Sequence, residues 1–520
     1  MGAFMCFFCG QNGNGRLTLG SYEHAGARSD SSATLSAGKG AGLAGPKSPS
    51  LQAEVSFING LSPKGSVTNK AFWSLDGQTA QKWGAPFAGT GAVITYTFDP
   101  ASQLTKVEKN TFLKAFAMWS AVADIKFVES GTNADVRIQR GNDGGAWENG
   151  PVSNGSGYQL GSHTGQATIS MDTAENGFDL SGSFDKYGGY GMGTAIHEVG
   201  HLLGLGHGGP YNGNVDASTQ QFSAYDNRMW TIMSYIGWTA ADAKYAGSYP
   251  VTGTNWGVTQ EGIPQNSPHT IMMLDIMAIQ QLYGAAKNGP FSGGQVFGFN
   301  SNVKGLLRQF FDFTINKNPV VTLYSQGKGN TLDLSGFSED STVNLKAGTF
   351  SSAAGETNNI AIASGTIVEK AVTGSGDDIL KGNSVDNVLK SGGGADILSG
   401  FGGNDVLRGG AGQDTFVFKT KLNSRTNVDR VADFRSEDDA FHLDNLVFKK
   451  LGKGSSANPI KLEERFFSLN KARDKDDYLI YNKKQGALYY DADGSGRGDA
   501  IKFATVKKNL DVTAENFFIV

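Results

Sequence analysis

From Thr373 onward the chain repeats with a period of nine residues, and so short a period leaves few folds open. Asp378, Asn387, Asp396, Asp405 and Asp414 hold one phase of the repeat, and Leu380, Leu389, Leu398, Leu407 and Phe416 hold another. Gly376, Gly394, Gly403 and Gly412 hold a third, with Val385 as the exception. Each unit reads as a glycine-rich turn followed by a short strand whose apolar residue fills a core, half a coil of a parallel β-roll. Asp378, Asp396 and Asp414 would then stack along one edge, and Asn387 and Asp405 along the other. Stacked carboxylates repel one another unless a hard cation lies between them, and calcium takes just such carboxylate and carbonyl oxygens. Gly376, Asp378, Asn387, Gly394, Asp396, Gly403, Asp405, Gly412 and Asp414 are therefore the candidate calcium residues, and folding of this part should depend on several structural ions. The 72 glycines of the chain, about twice the usual share, suit such turns.

A second pattern lies upstream. His197-Glu198-Val199-Gly200-His201-Leu202-Leu203-Gly204-Leu205-Gly206-His207 reads H-E-x-x-H-x-x-G-x-x-H. Histidines four apart on a helix project from one face, the spacing that grips one zinc ion. Gly204 can adopt φ > 0, end the helix and let His207 return as a third ligand. Three histidines leave one coordination position open for water, which is the pattern of a catalytic site. Glu198 follows the first ligand and is the candidate general base. The chain has only seven histidines, so this clustering is not ordinary helix composition.

Downstream, Trp230-Thr231-Ile232-Met233-Ser234-Tyr235 resembles the Met-turn of the serralysins, a group of the metzincin zinc peptidases. Three further tracts are similar to that family: Tyr211-Asn212, the run Leu274 to Gly284, and Phe297 to Ser301, which looks like the entry into the repeat domain. Gly208-Gly209-Pro210 departs from it, since family members often carry proline directly after the third histidine. The resemblance implies that Met233 forms an apolar floor under the histidines. It also implies that Tyr235 can bind zinc at rest and stabilise the oxyanion during catalysis. The nonapeptide is that of RTX proteins. In metzincins the substrate lies extended along an edge strand, and Ala167–Met171 is the candidate for it.

The expected fold class is a mixed α+β zincin (metzincin) catalytic domain followed by an all-β RTX domain, a parallel β-roll or β-sandwich. Residues 1–55, rich in Gly, Ser and Ala, read as a poorly structured leader or pro-segment. Residues 56–291 read as the peptidase and 292–520 as the calcium roll with a C-terminal secretion signal. Strands are expected at 92–98, 125–127, 136–138 and 167–171. Helices are expected after the Thr105/Glu108 capping box, over 192–203 and over 274–283. Asp491 to Asp499 is not an EF-hand loop, because Lys502 stands where that loop needs Glu; it reads equally as a calcium-binding turn or a hairpin.

The net charge of −4 suggests no nucleic-acid partner, and no apolar run is long enough for stable membrane insertion. Cys6 and Cys9 are the only cysteines, too few for a four-cysteine zinc site. A latent precursor in which one of them caps the zinc as a thiolate is an alternative to a cysteine pair without a role. The first ten residues make a poor signal peptide, while Glu515 followed by Phe517-Phe518-Ile519-Val520 resembles an uncleaved type I export signal. The protein is accordingly expected outside the cell as a monomer. The partners implied are protein and peptide substrates, the type I secretion machinery and, as a candidate, a proteinaceous inhibitor. His24, His163, His269 and His442 read as surface or satisfied core residues. The function expected is zinc-dependent hydrolysis of internal peptide bonds; the alternative is a calcium-binding surface or adhesion protein with an inactive peptidase fold.

Overall fold

The computed structural model describes residues 4–6, 47–131, 133–141, 146–157, 159–172, 186–258 and 266–520. The N-terminal half holds a twisted sheet in the order Phe4–Cys6, Ala146–Asn149, Ala167–Met171, Val136–Arg140, Ala92–Phe98, Ile125–Glu129. The last four of these run parallel, and Ala146–Asn149 runs antiparallel to Ala167–Met171. Ala167–Met171 is therefore interior, buried at all five residues and hydrogen-bonded on both sides. It is not the free edge expected for a substrate strand. Its outer neighbour Ala146–Asn149 is itself paired with Phe4–Cys6. That pairing places Cys6 opposite Ala146, while Cys9 and His24 lie outside the described residues.

The helix Lys106–Val122 forms as its capping box dictates. Thr105 Oγ1 accepts the Glu108 N–H at 3.3 Å, and Glu108 returns the bond to the Thr105 N–H. Arg140 closes on the same carboxylate at 2.7 and 2.9 Å. A helix at Leu51–Asn59, capped by Ser50, crosses the boundary expected after residue 55 and buries Glu54, Val55, Phe57 and Ile58.

The second half is the roll. One wall carries Lys370–Val372, Val388–Gly393, Val406–Ala411 and Asp429–Val431. The facing wall carries Ile379–Lys381, Ile397–Ser399, Thr415–Phe418 and Ala440–Leu443. Leu380, Leu389, Leu398, Leu407 and Phe416 all point inward with no exposed surface. Phe517–Ile519 runs parallel to Ala440–Leu443, so the terminal apolar cluster is a strand of this domain. Asp491 to Asp499 joins the antiparallel strands Ala487–Tyr490 and Ile501–Thr505 as a hairpin. One apolar core runs through both halves from Val55 to Ile519. Among the described residues no helix is long and apolar enough to cross a membrane.

Candidate active site and metal centre

The helix Tyr190–Leu202 carries His197, Glu198 and His201. Its last carbonyls would be orphaned, because Gly204 turns the chain away at φ 96°. Aromatic donors satisfy them instead. Trp83 Nε1 donates to Leu202 at 2.8 Å, the Tyr283 hydroxyl to Leu203 at 3.0 Å, and Trp73 Nε1 to Gly204 at 2.9 Å. Trp119 Nε1 reaches Ile196 from the neighbouring helix at 3.1 Å. A side chain at Gly204 would collide with the Gln81 carbonyl, 2.0 Å from an ideal Cβ, so this turn requires glycine.

His207 returns to complete a buried cluster. Its Nε2 lies 3.3 Å from His197 Nε2 and 3.0 Å from His201 Nε2. Each Nδ1 faces a backbone carbonyl: His197 that of Ile232 at 2.9 Å, His201 that of Leu205 at 2.8 Å, His207 that of Tyr211 at 2.8 Å. Those acceptors place the ring proton on Nδ1 and leave three Nε2 lone pairs aimed at one point. Burial holds all three imidazoles neutral, pushing His201 down to about 4 and the others well below their usual value. Three convergent acceptors with no proton between them fit a cation, and the donor set fits zinc.

The tract Trp230 to Tyr235 lies against this cluster. Met233 is fully buried, and its sulfur would lie 2.6 Å from a Cβ on Gly200, which explains a glycine inside the motif helix. The Tyr235 ring packs 4.4 Å from that of His207 and 5.9 Å from that of His197. Glu198 is fully buried beside them. Asp275 accepts the Ile232 N–H at 2.9 Å and the Thr231 hydroxyl at 2.5 Å, anchoring the turn to the helix Met273–Tyr283.

The comparisons with known proteins agree with this site. Residues 87–214 match the family model described as Matrixin, and residues 288–470 match Peptidase M10 serralysin C terminal. Metalloprotease AprA of Pseudomonas entomophila (strain L48) is 38% identical over 351 residues, covering 66% of this chain and 67% of that protein. Metallopeptidase AprA of Pseudomonas marginalis is 35% identical over 380 residues, covering 69% and 75%. Serralysin of Proteus mirabilis is 32% identical over 328 residues, covering 59% of each chain.

The chain belongs to the serralysin family.

It is a metalloendopeptidase, and the alternative of an inactive peptidase fold finds no support in a site whose three histidines are present and convergent. The roll of this serralysin brings the predicted aspartates into two ladders. On one edge Asp396 Oδ1 accepts the Asp378 N–H at 2.8 Å and Asp414 Oδ1 accepts the Asp396 N–H at 3.2 Å. On the other, Asp405 Oδ1 accepts the Asn387 N–H at 2.7 Å. The second oxygens of Asp378, Asp396, Asp405 and Asp414 are buried without a hydrogen-bond partner among the described residues. Gly394 and Gly412 stack so closely that a Cβ on either would strike the carbonyl of the glycine one coil below, at 2.3 and 1.9 Å. Gly376 would meet the Asp340 backbone, and Gly403 lies over the Val385 carbonyl.

Both ladders run on past the repeat. Asp429 accepts from the Asp405 N–H and Asp439 from the Asp414 N–H, each at 3.1 Å. Sequence reading missed both, because their spacings of 24 and 25 residues break the period. The isolated histidines are less uniform than expected. His269 Nε2 pairs with Asn266 at 2.8 Å, and His442 is half-buried against Phe518. His163 is stacked on Trp83 at 4.0 Å, and among the described residues neither of its buried ring nitrogens has a hydrogen-bond partner.

Proposed function

We propose that the enzyme hydrolyses internal peptide bonds of proteins with His197, His201 and His207 as zinc ligands, Glu198 as general base and Tyr235 as oxyanion donor. The convergence of three neutral Nε2 atoms, each ring oriented by a backbone carbonyl, carries this reading. A bound zinc ion supplies the Lewis acidity that lets water act as a nucleophile near neutral pH. Glu198 takes the proton of the attacking water and delivers it to the leaving amine. The Tyr235 hydroxyl donates to the oxygen that gains charge as the carbonyl is attacked, and Met233 keeps the floor apolar.

The same reading assigns calcium to the two aspartate ladders, where the orphaned buried oxygens of Asp378, Asp396, Asp405 and Asp414 support it. We take the leader to end before the helix at Leu51, the peptidase to run from there to about residue 291, and the roll to follow. Export from the cell by a type I system, and control by a proteinaceous inhibitor, belong to this reading through the terminal Glu515-to-Val520 tract and the family resemblance.

The test is casein hydrolysis by the full chain with zinc and calcium, beside Glu198→Ala and beside wild type after chelation. Loss of a general base should lower the rate by ~100-fold or more in a folded, zinc-loaded variant. Wild-type activity in that variant would overturn the assignment.

A further inference from the structure

Behind the third histidine lies a polar unit that neither the zinc motif nor the Met-turn accounts for. The Tyr211 carbonyl that orients His207 belongs to a residue whose hydroxyl donates to Asp226 Oδ1 at 2.6 Å. The same hydroxyl accepts the peptide N–H of Tyr235 at 3.3 Å. Ser234 Oγ donates to Asp226 Oδ1 at 2.7 Å, and the Phe222 N–H donates to Oδ2 at 3.1 Å. Beside Asp226 lies a second carboxyl, Glu54 of the helix Leu51–Asn59. Its Oε2 accepts the Ser223 hydroxyl at 2.5 Å, and its Oε1 is buried with no hydrogen-bond partner among the described residues. Neither side chain has exposed surface.

The turn after His207 explains how two acids fit there. An ideal Cβ on Gly208 would lie 2.4 Å from Asp226 Oδ1 and 3.3 Å from Glu54 Oε1, and one on Gly209 would lie 2.5 Å from Asp226 Oδ2. The Gly-Gly pair, the point at which this chain departs from the family pattern, is the space that the two carboxyls occupy.

We propose that the Glu54–Asp226 pair is a positioning unit of the metal site, setting His207 and the Tyr235 peptide through Tyr211 and tying the N-terminal helix to the third ligand. Two carboxyls buried this close cannot both ionise cheaply. Burial, and after it repulsion from Asp226, pushes Glu54 well up, while burial raises Asp226 to about 6 against the three donors that lower it. The three donors on Asp226 stabilise the single charge there, and the proton resides on Glu54. An amide at position 54 therefore mimics the native group.

This inference rests on the zinc reading above, and the test separates the two. Zinc affinity of the full chain is measured by competition with a chromogenic chelator in excess calcium, with folding followed by circular dichroism. Removing a partner that orients a metal ligand typically weakens binding ~10- to 100-fold. Asp226→Ala, Tyr211→Phe and Glu54→Ala should each do so, and Glu54→Gln should restore the affinity that Glu54→Ala loses. Folded Asp226→Ala and Tyr211→Phe with wild-type zinc affinity would overturn the proposal. If Asp226→Ala fails to fold, Tyr211→Phe decides alone, since it deletes one oxygen. A glutamine at 54 as damaging as alanine would refute the proton on Glu54. Wild type that binds no zinc would instead sink the peptidase reading.

Discussion

Asp275 offers the sharpest test of how the Met-turn is held. Its side chain has no exposed surface and accepts three hydrogen bonds: the Thr231 hydroxyl at 2.5 Å, the Met272 N–H at 2.7 Å and the Ile232 N–H at 2.9 Å. The carbonyl of that same Ile232 orients His197. Asp275→Ala would leave two peptide N–H groups and a hydroxyl buried without acceptors, at ~1–3 kcal/mol each. Relief from burying a carboxyl offsets part of this, so the net loss should be ~3–5 kcal/mol. In Asp275→Asn the amide oxygen can still accept both N–H groups while the amide nitrogen donates to Thr231, so the loss should be only ~1 kcal/mol. The assay is urea unfolding at saturating zinc and calcium, followed by tryptophan fluorescence. An alanine variant within ~1 kcal/mol of wild type, or an asparagine as damaging as alanine, would refute the reasoning.

Two further predictions concern the roll and its junction with the peptidase. Glu356 accepts from Asn266 at 3.3 Å across that junction and from its near neighbour Asn359 at 3.0 Å, and burial pushes its pKa from 4.5 up to about 8. Because the folded value is the higher one, its contribution is complete below pH ~4.5 and is lost as pH rises through ~8. Thermal midpoints in excess calcium should therefore fall between pH 5 and 8, and Glu356→Gln should flatten that slope; equal slopes in both proteins would contradict the assignment. Gly412 sits at φ 130° with a carbonyl 1.9 Å from its ideal Cβ, whereas the nearest atom to a Cβ on Gly402 is 4.0 Å away. Gly412→Ala should cost at least ~3 kcal/mol and raise the calcium needed to fold the roll, while Gly402→Ala should leave the calcium titration near wild type; similar curves for the two would count against the close-stacking argument.

What could be read from the sequence was local. The zinc motif is legible because a helix and one glycine turn bring three ligands together within a few residues. The ladder is legible because each coil repeats its neighbour. Asp429 and Asp439 were lost where insertions break the period, although the backbone ladder continues through them. The strand Ala167–Met171 was misplaced because its edge position was taken from the family resemblance, and a strand's own residues do not say how many partners flank it; here it lies between two. The helix Leu51–Asn59 was partly legible in retrospect, since Ser50 caps it and Leu51, Val55 and Ile58 recur at helical spacing. Glu54, Asp226 and Asp275 left no signal, because each reaches its partner across the fold and isolated acids are common on surfaces.

Those three acids show how ligand identity and ligand geometry come from different scales. His201 draws its orienting carbonyl from Leu205, four residues along its own chain. His197 depends on the Ile232 carbonyl and His207 on the Tyr211 carbonyl in the loop just after it, and each of those segments is fixed by a buried carboxyl. Asp275 sits on a helix whose approach is pinned to the second domain. The His269 N–H donates to the Val320 carbonyl at 2.8 Å, and the Thr322 N–H donates to Thr270 Oγ1 at 2.9 Å. Trp230, at the start of the Met-turn, packs edge-on against Phe350 of that domain at 5.2 Å. The tract Trp230 to Tyr235 is thus held from the side of the roll, and the loop after His207 from the side of the N-terminal helix. A short motif supplies the three nitrogens, but their aim depends on contacts that span the chain from Glu54 to Phe350.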